Sequence, residues 1–300
     1  MAHTEDDARF SASCDGVTVL VTGASRGLGR EIARTLAGAG ASLVLVARDA
    51  GELERVQQDI MGRLSKGARV RCCAIDLASE LSITVLQEYL DAVGMAPDVL
   101  INNAATQGPI GHFWENDWWE WMESFRLNAF APLRLCRMVL PGMIARRRGK
   151  ILTISGGGAA GPRPGFTAYA SAKSLLVRFT ETLAEEVRPF GIDVNAVAPG
   201  AMNSAMTDAV IRAGPLVAGK KEFDAAVARK AAKGNAALRA AQLCLFLSSH
   251  SSDGITGRLI SAAWDPWETL TAHREEIARS DVYTLRRILP ADRGMEWARS

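Results

Sequence analysis

Tyr169 and Lys173 stand four residues apart in a stretch with helical periodicity, downstream of a glycine-rich turn. Residues at i and i+4 share one helix face, so a phenol and an ammonium there converge on one point. A cation beside a phenol favours phenolate and lowers its pKa, which suits the tyrosine to exchange a proton with a carbonyl or hydroxyl oxygen. Alone, the pair is a common decoration of helices. It becomes a redox-site expectation because Thr22-Gly23-Ala24-Ser25-Arg26-Gly27-Leu28-Gly29 follows the apolar run 17–21 and opens a helix. Glycine permits a tight turn there and lets the backbone approach a pyrophosphate held at the helix N-terminus. Gly23, Ser25, Arg26, Gly27, Leu28 and Gly29 are therefore cofactor-binding candidates.

The residues after the second strand distinguish NAD from NADP. A carboxylate there grips the ribose 2′-hydroxyl, but this chain reads Ala47-Arg48, with Arg26 a second cation in the glycine loop. Two guanidiniums suit a 2′-phosphate, so NADP(H) is favoured over NAD(H). Asp49, one residue later, is expected to cap the next helix. At the end of the third strand, Asp76 and Leu77 offer a carboxylate and backbone to the adenine; alternatively Asp76 caps a helix ahead of Ser79. Asn102-Asn103-Ala104-Ala105 ends the fourth strand, where Asn103 can tie strand ends together and Ala104 leaves room for the nucleotide.

These candidates need elements to position them. From Gly16 onward, short β-rich runs at 17–21, 42–46, 69–75, 99–101, 151–154, 193–197 and 258–260 alternate with helix-length stretches. The helices are expected near 27–39, 50–64, 79–93, 115–145, 168–188 and 236–249. That alternation predicts an α/β fold, one Rossmann-type doubly wound parallel sheet of about seven strands in a single domain spanning 16–263. Residues 1–15 read as a flexible tail. The insertion 201–235 is placed as a substrate lid, and 264–300 as a C-terminal extension with a helix near 268–278. The extension either docks on a neighbouring subunit or caps the active site.

The 300 residues carry a net charge of only +2, with 48% hydrophobic residues, so a nucleic-acid partner is not expected. The basic run 146–150 sits at a helix end, where cations offset the helix dipole and Gly149 is expected to stop the helix. Five cysteines and four histidines are dispersed without metal-ligand spacing, so no metal site is expected and reduced thiols point to the cytoplasm. The polar, acidic start shows no leader, and no apolar run reaches membrane-spanning length.

Taken together, Thr22-Gly23-x-x-x-Gly27-x-Gly29, Asn102-Asn103-Ala104, Asn128, Tyr169-x-x-x-Lys173 and Pro199-Gly200 resemble, in order and spacing, the short-chain dehydrogenase/reductase family over roughly 16–262. The resemblance implies a homodimer or homotetramer and hydride transfer between NAD(P)H and a small-molecule carbonyl or alcohol. It implies that Tyr169 is the acid/base and that Lys173 holds the nicotinamide ribose and lowers the tyrosine pKa. It further implies that Asn128 holds a water of a proton relay. Pro199, Gly200 and Met202 would then line the cofactor, with Ser204 bonding the nicotinamide carboxamide.

The family also carries a substrate-orienting serine thirteen residues before the tyrosine. Here that position is Gly156, and Ser155 is one residue off, in Ser155-Gly156-Gly157-Gly158. A one-residue shift along a strand turns a side chain to the opposite face. Either the glycines bend the backbone so that Ser155 still serves as a catalytic residue, or its role is lost and the glycine amides polarise the substrate oxygen. The chain also lacks the family's usual turn after the seventh strand. Trp114, Trp118, Trp119 and Trp121 read mainly as a subunit interface, with Trp114 kept as a substrate candidate. Arg163 and Lys220-Lys221 read as solvent-exposed.

The leading expectation is an NADPH-dependent carbonyl reductase or alcohol dehydrogenase. Gly156 and the unusual tail motivate a rival, a nucleotide-binding sensor or scaffold without turnover. A third reading is a cofactor-using enzyme that modifies nucleotide sugars.

Overall fold

Runs such as Thr-Val-Leu-Val-Thr and Ser-Leu-Val-Leu-Val-Ala are apolar at nearly every position, which is what a parallel strand needs when helices cover both of its faces. The computed structural model describes residues 12–232 and 234–296, and these runs form its seven strands. They are β1 (Thr18–Thr22), β2 (Ser42–Ala47), β3 (Val70–Ala74), β4 (Val99–Asn102), β5 (Gly149–Ile154), β6 (Ile192–Ala198) and β7 (Leu259–Ser261). All pairings are parallel, in the order β3-β2-β1-β4-β5-β6-β7. The order reverses between β1 and β4, the switch point at which doubly wound sheets bind their ligands.

Alternation along each strand divides the core in two. Val19, Val21, Leu43 and Leu45 face α1 (Gly27–Gly38), α2 (Ala50–Met61) and α9 (Ala236–Ser248). Leu20, Val44, Val46 and Leu100 face α3 (Ser82–Val93), α5 (Ala131–Arg146) and α6 (Thr167–Val187).

Four expectations change. The helix expected over 115–145 is broken into α4 (Trp118–Phe125), a π-helical turn at Arg126–Phe130, and α5. The helix near 79 begins only at Ser82, and α5 ends on Arg147 in the left-handed region (φ 50°) rather than on Gly149, which opens β5. Of the tail at 1–15, residues 1–11 lie outside the described residues. Cys14 is fully buried and its amide donates to the Ala39 carbonyl at 2.8 Å.

The insertion forms α7 (Ala205–Ala218), interrupted at Gly214, and α8 (Lys220–Ala231). Val210, Ala218 and Ala226 from this pair close over Phe166, which makes a small core of their own. The extension packs on its own chain: a 3-10 turn (Trp267–His273) leads into α10 (Arg274–Ala278). Arg258, buried beside β7, donates to the carbonyls of Ile277, Ser280 and Val282, and the Leu259 amide donates to the Tyr283 carbonyl. The outer edge of the sheet is thereby covered by residues 277–283.

Candidate active site

The glycine loop leaves β1 and enters α1 with Gly23 (φ 64°) and Gly27 (φ 53°) in the left-handed region. Gly23 and Gly29 are also required by contact. A Cβ on Gly29 would meet the Gly23 carbonyl oxygen and lie 2.6 Å from Asn103 Nδ2, and one on Gly23 would lie 2.8 Å from the Ala104 Cα. Asn103 Nδ2 donates to the Thr22 and Gly23 carbonyls at 2.9 and 3.2 Å. The Thr22 hydroxyl accepts from the Asn103 and Ala104 amides at 2.9 and 3.0 Å. This network fixes the loop to the end of β4. Arg26, the N-cap of α1, makes no side-chain cap bond to the first-turn amides, and exposed Gly27 has open space beside it, an arrangement suited to an anion. Leu28 anchors the loop in the core, and Ser25 stays half-buried on its rim.

The Ala24 amide donates to the Val46 carbonyl at 3.2 Å, which brings the end of β2 alongside the loop. Arg26 and Arg48 are both exposed, and neither forms an ion pair among the described residues. Asp49 caps α2 by accepting from the Glu52 amide at 2.9 Å, as expected. Asp76 is exposed and accepts from the Ala78 amide at 3.0 Å in a local turn; it caps no helix, because α3 starts six residues later. The Leu77 side chain is in the core. Pro199 and Gly200 follow β6, with Gly200 at φ 83°. Met202 is half-buried against the core, its carbonyl accepting from Thr207 Oγ1. Ser204 is the N-cap of α7 and its side chain makes no cap bond.

Tyr169 and Lys173 lie on the first turns of α6, both buried. Lys173 Nζ donates to the Ile154 carbonyl at the end of β5 (2.7 Å) and stands 5.6 Å from the Tyr169 ring centroid. Burial lowers the Lys173 pKa to about 8. Burial raises that of Tyr169, and the charge that opposes the rise is that of Arg163. The expectation that Lys173 holds the phenol's pKa down is thus corrected: in this arrangement desolvation prevails, and the opposing cation is a different one.

Asn128 lies in the π turn, fully buried. Its Oδ1 accepts from the Thr106 amide at 2.9 Å, and its Nδ2 donates to the Thr106 carbonyl and to Ser124 Oγ at 2.9 and 3.0 Å. Thr106 and Ser124 are site-supporting residues that the sequence reading missed, since nothing in their spacing links them to Asn128.

Position 156 is the one that faces the phenol. A Cβ there would lie 2.9 Å from Tyr169 Cζ and closer still to its hydroxyl oxygen. Ser155 is buried, its amide donates to the Val197 carbonyl, and its Oγ has no hydrogen-bond partner among the described residues, Tyr169 included.

Arg163, expected in solvent, is instead 14% exposed at its side chain. Its guanidinium carbon is 3.8 Å from the Phe166 ring centroid and 5.9 Å from that of Tyr169, and Nη2 pairs with Glu222 on α8 at 2.8 Å. Pro162 and Pro164 on either side, which stiffen the backbone, were the available signal. Lys220 is exposed, as expected, and pairs with Asp224. Trp114 is 77% exposed and stacks on His112 at 4.5 Å, while Trp118 and Trp119 are also exposed. Trp121 differs from its neighbours: its Nε1 donates to Thr167 Oγ1 at 3.2 Å and joins α4 to the first turn of α6.

The short chain dehydrogenase family matches residues 17–213 of this chain. The very-long-chain 3-oxoacyl-CoA reductase of Pyrenophora tritici-repentis is 31% identical over 225 residues, 74% of this chain and 65% of that protein's length. Among solved structures, a gluconate 5-dehydrogenase from Burkholderia cenocepacia in complex with NADP and tartrate superposes with a TM-score of 0.71 at 25% identity, covering 83% of this chain and 94% of the other. A 3-oxoacyl-[acyl-carrier protein] reductase from Brucella melitensis with bound NAD gives 0.70 at 26% identity, covering 87% and 95%. The chain spans somewhat less than two thirds of the length of several of the curated relatives it matches, and it belongs to the short-chain dehydrogenase family.

Proposed function

We propose that this protein is an NADP(H)-dependent oxidoreductase that interconverts a ketone and a secondary alcohol, with Tyr169 as acid/base. The observation that carries the proposal is the buried Tyr169–Lys173 pair on α6, set at the end of β5 beside an uncapped glycine loop at the switch point of the sheet. The residues present fit a dinucleotide: first-turn amides of α1 without a side-chain cap, the Thr22–Asn103 clamp and glycines whose Cβ atoms would fill the cradle. Arg26 and Arg48, exposed beside that loop and without an ion pair among the described residues, favour a 2′-phosphate. When bound, the nicotinamide supplies or accepts the hydride.

Tyr169 gives its proton to the substrate oxygen on reduction and takes it back on oxidation. Lys173 holds the ribose, and the π turn around Asn128 positions a water that refills the proton. The Ser155 hydroxyl and the backbone amides of Gly156, Gly157 and Gly158 are the two candidates to polarise the substrate oxygen. The position of Gly156 against the phenol favours the amides. Exposed Trp118, Trp119 and Phe130 on α4 and its π turn are the proposed assembly face of a homodimer or homotetramer.

The test is titration with NADPH and separately NADH, read by quenching of tryptophan emission, followed by a carbonyl panel. Selective NADPH binding that Arg48→Ala weakens supports the cofactor assignment, and preference for NADH overturns it. Turnover unchanged in Tyr169→Phe overturns the acid/base role. Binding without any turnover, shared by wild type and Tyr169→Phe, points to a non-catalytic nucleotide sensor, the reading that the missing serine favours.

A further inference from the structure

A guanidinium beside a catalytic phenol is costly to desolvate, and this one is only thinly compensated. Arg163 has five N–H donors, yet its single hydrogen bond among the described residues is from Nη2 to one oxygen of Glu222, at 2.8 Å. The rest of its setting orients it. The Phe166 ring lies under the guanidinium at 3.8 Å, a cation–π contact with a fully buried aromatic. The backbone of the glycine run forms the other wall: a Cβ on Gly157 would touch Arg163 Cδ, Nε and Nη1 at 3.8–3.9 Å, and one on Gly158 would crowd its Cβ at 3.2 Å. The run that displaces the expected serine is thus also the surface along which the arginine reaches Tyr169. Flanking prolines limit the backbone alternatives at Arg163 itself.

We propose that Arg163 is the anion anchor of the substrate: it takes the carboxylate of an oxo or hydroxy acid whose reacting carbon lies at Tyr169, and Glu222 of the lid helix α8 holds that place until such a substrate displaces it. The proposal rests on the oxidoreductase reading above and names its substrate class. Three features support it. A guanidinium carbon 5.9 Å from the Tyr169 ring is within a few bonds of any carbon reduced there, the spacing of a carboxylate in a short oxo acid. The phosphates of a carrier-bound acyl chain lie many bonds from its oxo group and do not fit that spacing. A planar fork with free donors binds a carboxylate in bidentate fashion, which exceeds its present single bond to Glu222. Glu222 is itself a carboxylate, so the exchange conserves charge beside the phenol, and its segment packs over Phe166 through a small core separate from the two that flank the sheet.

The experiment compares acetoacetate and gluconate with their methyl esters, using wild type, Arg163→Ala, Arg163→Lys and Glu222→Gln with NADP(H). Wild type is expected to prefer the acids. Arg163→Ala should lower the acid-to-ester ratio of kcat/KM about 100-fold, the scale of removing one partner of a desolvated charge pair. Arg163→Lys should restore part of that ratio, and Glu222→Gln, which frees the guanidinium, should raise it several-fold. A purely structural ion pair would slow acid and ester alike and leave the ratio unmoved, and that result overturns the proposal, as does a wild-type preference for esters. If wild type oxidises or reduces nothing in the panel, the catalytic reading fails while the anchor is still read by binding. Protection from thermal unfolding by the acids but not the esters, absent in Arg163→Ala, sustains it, and no protection overturns it.

Discussion

The phenol of Tyr169 stands directly against the backbone of Gly156, leaving no room for a side chain at that position. The site is therefore built around a glycine where a serine would ordinarily approach the tyrosine. Restoring the hydroxyl is expected to harm it. Gly156→Ser must push the phenol aside, and a displacement of that kind typically costs on the order of 100-fold in rate. The expected outcome is a fall in kcat with cofactor affinity nearly unchanged; a serine variant faster than wild type would show that the backbone gives way easily.

Ser155 and the glycine amides are separable by one substitution. If the amides polarise the substrate oxygen, Ser155→Ala keeps kcat within a few-fold of wild type, because the Oγ has no partner to lose among the described residues. A drop of about 100-fold, the scale of losing one oxyanion donor, would return the role to Ser155.

The space that a Cβ on Gly29 would need is filled by the Gly23 carbonyl and the Asn103 side-chain amide. Gly29→Ala cannot enter this space without opening the loop, at about 1–3 kcal/mol for an overpacked site. Calorimetry should show a folded protein that no longer saturates with NADPH or NADH. Undiminished binding of either would remove the loop from the cofactor site.

Lys173 has a folded pKa of about 8, below its unfolded value of 10.5. Below pH 8 the ammonium is buried in the folded state at full cost. Between pH 8 and 10.5 the unfolded chain binds more protons than the folded one, so this group's penalty is relieved as pH rises. Buried thiols such as Cys136 and Cys244, whose pKa is pushed up to about 12, act in the opposite sense above pH 9. The lysine is thus read most cleanly from pH 7 to 9. Lys173→Met should be more stable than wild type in urea at pH 7, and the gap should narrow by pH 9. A gap independent of pH would mean that the lysine is not buried as described.

Arg258 ties the extension to β7 through three carbonyls. Arg258→Ala should lower stability by about 3 kcal/mol, the scale of charged hydrogen bonds lost from buried acceptors. Trypsin should also cleave at the surface residues Arg279 and Arg286 faster than in wild type and ahead of the rest of the chain. Unchanged proteolysis would show that the extension is held by Trp267 and its apolar neighbours alone.

The sequence by itself determined the sheet, the glycine loop and the Tyr169–Lys173 pair. These are local patterns: alternation of apolar runs, glycines at a turn, and an i, i+4 spacing that any regular helix turns into shared direction. Asp49 as a cap was legible for the same reason. Contacts between residues distant in the chain were not legible. The Asn128 side chain in the π turn bonds the backbone of Thr106, twenty-two positions away, and Arg163 meets Glu222, fifty-nine positions away. No periodicity encodes such a meeting. The burial that raises the Tyr169 pKa likewise comes from tertiary packing, which sets the phenol of α6 against the backbone that follows β5. Charge and hydrogen-bond partners are set by that enclosure, whereas spacing along one element sets only the direction in which a side chain leaves the backbone.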